Sequence, residues 1–202
     1  MSAAPHIGVL ALQGDIREHL ASLEAAGATA RPVTSLADLA AVQGLVIPGG
    51  ESTTMSKLAL HDGLMAPLQQ ARIAGMPMFG SCAGMIMLAD RVTDAREDQQ
   101  FISGIDMTVC RNAFGRQVDS FEVDLEVRGL SGGPLRGVFI RAPWVERAGE
   151  QVEILATLQT GEQAGTIVAV KQGPLLATSF HPELTGDHRI HATFVELVRH
   201  YA

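Results

Sequence analysis

"MFGSCAGMIMLAD", residues 78–90, places a single thiol, Cys82, between a short apolar run and a segment of helical character. The apolar run predicts a buried strand, and the residues after Cys82 predict a short helix. Small residues and glycines flank the thiol on both sides, which matches the G-x-nucleophile-x-G turn that exposes a nucleophile between a strand and a helix. The stretch therefore indicates an α/β fold with Cys82 at a strand-to-helix junction.

The position of Cys82 suits a nucleophile. Unpaired backbone N–H groups and the helix dipole at a helix N-terminus favour the thiolate. The N–H of Ala83 is well placed to bind an oxyanion. The alternative is a small buried cysteine packed among methionines, since cysteine is among the most buried residue types. A base within reach of the sulfur would decide between the two interpretations.

Short apolar runs alternate with helix-period segments through the first half of the chain, a pattern typical of parallel βαβ units. The strands predicted there are residues 6–12, 28–33, 44–50 and 76–80. The helices predicted there are residues 14–27, 35–40, 51–75 with a break near Asp62, and 82–90. The second half predicts short strands at residues 104–110, 117–127, 135–143, 152–158, 165–173 and 174–180, and a closing helix at 186–202. We therefore expect a mostly parallel sheet with antiparallel additions.

Length and composition fit one α/β domain over residues 1–202. Of the 202 residues, 47% are apolar and 18% are charged, which is enough for one substantial core. The net charge of -7 disfavours nucleic acid as a partner, because phosphate-binding surfaces are rich in Lys and Arg. The first residues lack a signal-peptide pattern, and no apolar run approaches the roughly 20 residues of a membrane span. We predict a soluble, cytoplasmic protein with two free thiols, Cys82 and Cys110.

His181 is the best candidate for a base beside Cys82. It follows the apolar run 174–180, so it is expected at the end of a strand, and Pro182 prevents a helix from starting there at once. Glu183 is two residues further on, and in extended backbone residues i and i+2 point the same way. Cys82, His181 and Glu183 then form a nucleophile, base and carboxylate triad. By itself "HPE" is equally compatible with a solvated turn.

The other histidines have structural or solvent-exposed interpretations: His6 is near a terminus, His19 and His61 lie on or beside helices, and His188, His191 and His200 fall at polar positions of the last helix.

A second glycine loop, "PGGEST" at residues 48–53, ends the third predicted strand. Gly49 and Gly50 permit positive φ and close backbone approach, so their N–H groups can complete an oxyanion hole. A phosphate-binding loop is a weaker alternative, because the segment lacks the G-K-[ST] ending of a Walker A motif and Glu51 would repel phosphate. A plain turn capped by Ser52 or Thr53 is the remaining alternative.

Three of these segments form a signature when they are taken together. "PGGES", "GSCAG" and "SFHPE", in this order and at these separations, resemble the class I glutamine amidotransferases of the triad type. The longer blocks that resemble the glutaminase subunits of pyridoxal 5′-phosphate synthases are "LALQGDIREH", "LVIPGGESTTM", "PMFGSCAGMI", "RNAFGRQVDSFE", "GVFIRAP" and "FHPELTGDHRIH". The resemblance implies a three-layer, flavodoxin-like α/β domain that hydrolyses L-glutamine to L-glutamate and ammonia.

The resemblance also implies a role for each matching position. Cys82 matches the nucleophile, His181 the general base and acid, and Glu183 the orienting carboxylate. The implied glutamine-binding residues are Gly50, Glu51, Ser52, Arg111, Ile140 and Arg141, and the implied oxyanion hole is formed by Gly50 and Ala83. The reaction requires no metal and no organic cofactor, and His and Cys do not recur at zinc-like spacing.

The implied partner is a separate (β/α)8 synthase subunit, which combines the ammonia with ribose 5-phosphate and glyceraldehyde 3-phosphate in a complex of twelve chains of each kind. "LQGDIREH" is the expected part of the contact surface, where Gln13 would help to order the oxyanion hole on docking. Two alternatives remain: a glutaminase that serves a different ammonia-accepting synthase, and a non-catalytic module that has kept the fold. "QGDIREH" and "GRQVDSFE" argue against the first, and the intact triad argues against the second.

Overall fold

A large mixed β-sheet with helices on both faces forms the centre of the computed structural model, which describes residues 3–111 and 120–201. The strands are β1 (His6–Leu10), β2 (Thr29–Val33), β3 (Gly44–Ile47), β4 (Met78–Ser81), β5 (Ala89–Thr93), β6 (Ile105–Cys110), β7 (Ser120–Leu125), β8 (Leu135–Ile140), β9 (Trp144–Ala148), β10 (Glu153–Thr157), β11 (Ile167–Gln172) and β12 (Leu175–Thr178). The helices are α1 (Ile16–Ala25), α2 (Leu36–Ala40), α3 (Ser52–His61), α4 (Met65–Ile73), α5 (Ala83–Leu88) and α6 (Arg189–Tyr201), and a 3-10 turn spans Pro182–Leu184. Among the described residues, none of the helices has the length and apolar content that a membrane crossing requires.

The strand order of the large sheet is β2-β1-β3-β4-β12-β11-β9-β6-β5, with β10 paired to β11. The first five strands in this order are mutually parallel, and β5 is parallel to β6. β11 is antiparallel to β12, β9 and β10, and β9 is antiparallel to β6. The predicted α/β fold, with a mostly parallel sheet and antiparallel additions, is confirmed. Because β12 lies parallel to β4, the strand that precedes Cys82 and the strand that precedes His181 are neighbours.

Side chains alternate between two hydrophobic cores along the central strands. Leu45 and Ile47 of β3 point to one face of the sheet and Val46 to the other, as the two-residue period of a strand requires. The first core is covered by α2, α3, α4 and α5, and the second by α1, α6 and the β7–β8 hairpin. Both faces of the sheet are therefore shielded from water, which explains why the central strands are nearly continuous apolar runs.

Two of the observed strands, β5 and β9, were not predicted from the sequence. β5 follows α5 without a break, and β9 carries Glu146 and Arg147, so neither shows the apolar pattern typical of a strand. β5 is an edge strand, where polar side chains stay exposed. β9 pairs with both β6 and β11, but Glu146 and Arg147 lie on its exposed part. The strand predicted at 117–127 is observed from Ser120, whereas residues 117–119 lie outside the described residues. The single domain over residues 1–202 stays a prediction.

Candidate active site

Cys82 occupies a strained turn between β4 and α5. Its backbone has φ 49° and ψ −105°, a conformation that residues other than glycine rarely adopt. Glycines on either side make the turn possible. A Cβ on Gly80 would lie 2.3 Å from backbone atoms of Gly84, and a Cβ on Gly84 would lie 2.0 Å from the carbonyl oxygen of Ile47. The "GSCAG" spacing is therefore a packing requirement of this junction, and it holds the thiol at the N-terminus of α5.

His181 lies close to Cys82 because β12 is adjacent to β4. Ser81 pairs with Thr178 in the parallel register, and the N–H of Cys82 donates to the carbonyl oxygen of Thr178 over 2.8 Å. His181 lies three residues after Thr178. Its Nδ1 is 2.7 Å from Oε1 of Glu183. The predicted triad residues are thus brought together at the carboxyl ends of two adjacent strands, where the ligand crevices of open α/β sheets form.

The contact between His181 and Glu183 arises from a backbone geometry that differs from the extended one predicted from the sequence. Glu183 does not lie in extended backbone but in the 3-10 turn Pro182–Leu184, with Pro182 at its start. This turn folds the carboxylate back onto the imidazole. The prediction of extended backbone between His181 and Glu183 was wrong, although the predicted contact between the two side chains is present.

Burial and charge oppose each other at the imidazole of His181. Burial alone would lower its pKa, but hydrogen bonding and negative charge from Cys82 and Glu183 raise the pKa of His181 to about 10. Burial alone would raise the pKa of Glu183, whereas His181 and His19 hold the pKa of that carboxyl well below its usual range. At neutral pH the pair therefore consists of a carboxylate and an imidazolium.

Cys82 and His181 line a pocket of about 520 Å³, and Glu183 lies outside its lining. The other lining residues are Asp15, Gly50, Glu51, Ser52, Ala83, Ile86, Arg111, Ile140, Arg141 and Pro143. The lining includes the implied substrate-binding residues and the implied oxyanion-hole residues Gly50 and Ala83, whereas Gly49, whose N–H was also expected at the oxyanion hole, lies outside it. Asp15, Ile86 and Pro143 also line the pocket, but the sequence did not predict them as site residues. Ile86 had a usable signal, because it lies four residues after Cys82 and so on the same face of α5.

Two arginines line the pocket in different ways. The partly buried Arg111 donates hydrogen bonds to Gln99 and Thr53, each over 3.1 Å. Gln99 donates in turn to the hydroxyl of Ser52 over 3.2 Å, which ties this network to the start of α3. Arg141 is exposed and has a φ of 42°. The guanidinium of Arg111 is thus the more rigidly held of the two, and a preorganised fork pairs a carboxylate at lower entropic cost.

The glycine loop after β3 packs closely against the site. A Cβ on Gly49 would lie 2.4 Å from Cε1 of His181, and Gly50 has a φ of 130°, so each position favours glycine. Gln13 donates from its side-chain nitrogen to the carbonyl oxygen of Glu51 over 2.5 Å. The loop is therefore in contact with both the triad and the segment that follows β1.

Two buried histidines lie behind the triad, and one of them contradicts an interpretation from the sequence. The sequence places His191 at a polar position of the last helix, but His191 and His19 are both fully buried. Nδ1 of His19 lies 3.0 Å from Nε2 of His191. The interpretation was wrong because periodicity alone does not distinguish a polar side chain that faces solvent from one that is hydrogen-bonded inside a core.

Asp15, His181 and Glu183 place three potential metal-ligand atoms within 4.8 Å of one another. Nδ1 of His181 is already hydrogen-bonded to Glu183, and it lies 3.8 Å from Oδ2 of Asp15. A metal ion bound to Nδ1 would have to replace the hydrogen bond that orients the imidazole. The group is better described as the acidic surroundings of a cationic imidazole.

Comparisons with known proteins establish the family. The sequence profile of the SNO glutamine amidotransferase family matches residues 9–200. The chain belongs to the SNO glutamine amidotransferase family. It is 63% identical over 197 residues to the pyridoxal 5′-phosphate synthase subunit PdxT of Acidothermus cellulolyticus, covering 98% of this chain and 95% of that protein. The protein of the same name from Salinispora arenicola is 63% identical over 196 residues, covering 97% of this chain and 98% of that protein.

Solved structures agree with this fold. A crystal structure of a glutamine amidotransferase superposes with a TM-score of 0.87 at 47% identity, covering 96% of this chain and 98% of that one. PurLQS from Thermotoga maritima superposes with a TM-score of 0.64 at 17% identity, covering 98% of this chain and 99% of that one. The second likeness concerns the fold alone.

Proposed function

We propose that this chain is a glutaminase that hydrolyses L-glutamine to L-glutamate and ammonia and passes the ammonia to the synthase subunit of a pyridoxal 5′-phosphate synthase. The observation that carries the proposal is the strained turn that holds Cys82 beside His181, which is itself hydrogen-bonded to Glu183. The relatives at 63% identity, which are named as subunits of that synthase, support this acceptor.

The first half-reaction transfers the γ-glutamyl group to sulfur. Cys82 attacks the side-chain amide carbon of glutamine, and the amide oxygen becomes an oxyanion that we assign to the N–H groups of Gly50 and Ala83. His181 is cationic at neutral pH and donates its proton to the amide nitrogen. The C–N bond breaks, which leaves free ammonia and a thioester on Cys82.

Thioester formation changes the charge around His181. The thioester has no negative charge on sulfur, so one of the two groups that raise the pKa of His181 is lost. The proton that His181 carried has already left with the ammonia. The neutral imidazole then takes a proton from water while the water oxygen attacks the thioester carbon, and L-glutamate is released as the sulfur departs. Glu183 stays ionised in both halves because its pKa lies far below neutral pH, so it holds the Nδ1–H of His181 throughout.

Recognition of glutamine also requires partners for its α-carboxylate and α-ammonium. We assign the carboxylate to Arg111, because its guanidinium lines the pocket and is held by two hydrogen bonds. We assign the ammonium to Glu51, since a hydrogen bond from Thr54 lowers the pKa of Glu51 and favours its charged form. The remaining substrate contacts of the proposal are Ser52, Ile140 and Arg141.

The (β/α)8 fold of the partner and a complex of twelve chains of each kind belong to the proposal and rest on the family resemblance. Ammonia is protonated in bulk water, so coupled synthesis needs a contact surface near the mouth of the site. The segment of residues 12–19 follows β1, and its Gln13 contacts the backbone next to Gly50. We therefore place part of the docking surface on residues 12–18, with Gln13 ordering the oxyanion hole, whereas His19 at the end of the segment is fully buried. A cytoplasmic location stays a prediction from the sequence.

Glutamate formation by the purified chain, measured with and without its synthase subunit, tests the proposal. We expect hydrolysis to rise when the synthase is added and isotope-labelled amide nitrogen to enter pyridoxal 5′-phosphate. No glutamate under either condition would reject the glutaminase. Hydrolysis without transfer of the label would indicate a different ammonia acceptor. Partner-stimulated turnover that is unchanged in Gln13→Ala would remove the role given to Gln13.

A further inference from the structure

A connected cluster of buried polar side chains lies behind the triad and is formed by His19 of α1, Ser81 of β4, Glu183 and His191 of α6. Nε2 of His19 lies 3.0 Å from Oγ of Ser81 and 3.4 Å from Oε1 of Glu183. Nδ1 of His19 lies 3.0 Å from Nε2 of His191. His19 therefore joins two helices, the strand before the nucleophile and the turn that carries the carboxylate.

The surroundings of the two rings determine which nitrogen atoms carry hydrogen. Nδ1 of His191 is buried and has no hydrogen-bond partner among the described residues. A hydrogen there would be an unsatisfied donor, so the favoured tautomer of His191 carries its hydrogen on Nε2 and donates it to His19. Burial lowers the pKa of His191 to about 3, which keeps this ring neutral. Nδ1 of His19 is then an acceptor, and its own hydrogen lies on Nε2, facing Ser81 and Glu183.

His19 favours the charged form of Glu183, whose carboxylate has few other donors in the described part of the chain. Its side chain is completely buried, and within the described part of the chain Oε2 has no hydrogen-bond partner. Oε1 is approached by Nδ1 of His181 and by Nε2 of His19. A buried carboxylate stays ionised only when donors replace its lost hydration. His181 changes its charge during the proposed reaction, whereas His19 lies outside the pocket lining and does not contact the substrate.

We propose that His19 is a positioning residue of the glutaminase: it fixes Oε1 of Glu183 against the imidazole of His181, and Ser81 and His191 fix its own orientation. This role rests on the function proposed for the triad. A plain core-packing role predicts something different, because then only the volume of the ring at position 19 matters and not the place of its hydrogen-bond donor.

A pair of amide substitutions separates the two roles. The side-chain nitrogen of glutamine reaches the place of Nε2 in histidine, whereas that of asparagine reaches only the place of Nδ1. Glutamine hydrolysis is measured in the complex with the synthase for His19→Gln, His19→Asn and His19→Leu. We expect kcat of His19→Gln to stay within about fivefold of the unsubstituted chain and kcat of the other two to fall about 10- to 100-fold, as for a lost hydrogen bond to a charged group. KM should change by less than about twofold, because His19 does not touch the pocket.

Two controls make the comparison specific. His61→Leu removes an exposed histidine of another helix and should leave kcat and KM unchanged. The end-point of Cys82 alkylation by a glutamine-mimicking electrophile counts folded sites, so kcat refers to folded protein in every variant. If His19→Leu does not fold, the His19→Gln and His19→Asn variants still distinguish a positioning role from core packing.

Equal kcat values for His19→Gln and His19→Asn, after correction for folded sites, would overturn the positioning role, and so would full activity of His19→Leu. An unsubstituted complex that does not hydrolyse glutamine would reject the proposed function and this role together. An active complex that is insensitive to the donor at position 19 would reject the role of His19 alone.

Discussion

The backbone N–H of Cys82 donates a hydrogen bond to the carbonyl oxygen of Thr178, three residues before His181. This bond continues the parallel pairing of β4 with β12, so both strands end at the same edge of the sheet. The thiol and the imidazole meet there although they are far apart in the chain. Substitutions of residues at this edge of the sheet, or of residues packed behind it, should therefore change activity or stability in ways that can be measured.

Cys82→Ala should abolish glutamine hydrolysis, because the proposed acyl transfer has no other nucleophile. A glutamine-mimicking electrophile should label Cys82, as detected by peptide mass spectrometry. Cys110→Ser is the matched control: Cys110 is also a free thiol, but it does not line the pocket, and burial raises its pKa. Labelling confined to Cys110 would contradict the assignment of the nucleophile.

Glu183→Gln should lower kcat by about 10³- to 10⁴-fold, because an amide does not stabilise the imidazolium and can hold His181 in the wrong tautomer. KM should change little, since Glu183 lies outside the pocket lining. Steady-state kinetics in the complex with the synthase measure both constants. Glu196→Gln, an exposed glutamate of α6, is the control and should behave as the unsubstituted chain does. A loss of less than tenfold for Glu183→Gln would argue against the triad.

Gly49→Ala should displace His181, because the new Cβ would lie 2.4 Å from Cε1 of the imidazole. We expect kcat to fall at least about tenfold and the free energy of unfolding to fall by about 1–3 kcal/mol, the usual range for overpacking. Gly75→Ala is the control: its Cβ meets nothing within 4 Å, so its positive φ costs stability but no activity. Equal kcat in the two variants would contradict a close contact between the glycine loop and His181.

Arg111→Lys should raise KM for glutamine at least about tenfold with a smaller effect on kcat. A lysine ammonium cannot pair both carboxylate oxygens in the fork geometry of a guanidinium. It also cannot reproduce both hydrogen bonds, to Gln99 and to Thr53, in that geometry. Arg141→Lys, measured beside it, should have the smaller effect. A larger rise of KM in Arg141→Lys would instead assign the α-carboxylate of the substrate to Arg141.

His191 should make the protein sensitive to acid. Burial lowers its pKa from 6.5 to about 3, so below pH 6.5 the unfolded chain binds a proton that the folded protein does not bind, and stability falls. His191→Gln keeps a donor toward His19 but does not titrate. Between pH 7 and pH 5 the free energy of unfolding, measured with urea, should fall by about 2 kcal/mol more in the unsubstituted chain than in His191→Gln. His61→Gln, at an exposed histidine, should follow the unsubstituted chain.

Local patterns predicted the parts of the site that local sterics determine. Gly80, Cys82 and Gly84 are close in the chain, and the tight contact between the two glycines belongs to one strand-to-helix turn. His19 and His191 could not be assigned in this way. Each is one polar residue within an amphipathic helix, and their mutual hydrogen bond joins helices from opposite ends of the chain.

The alternation of apolar runs and helix-period segments determined the α/β class, and short motifs determined which residues are candidates for nucleophile, base and carboxylate. Only the tertiary structure decided that β12 lies beside β4, that Glu183 reaches His181 from a 3-10 turn, and that His19 approaches Glu183 from behind. The physical reason is the range of the forces involved. Periodicity reports which side of an element is buried, a property of neighbours in the chain. Strand order and the partners of a buried polar group depend on contacts between distant segments.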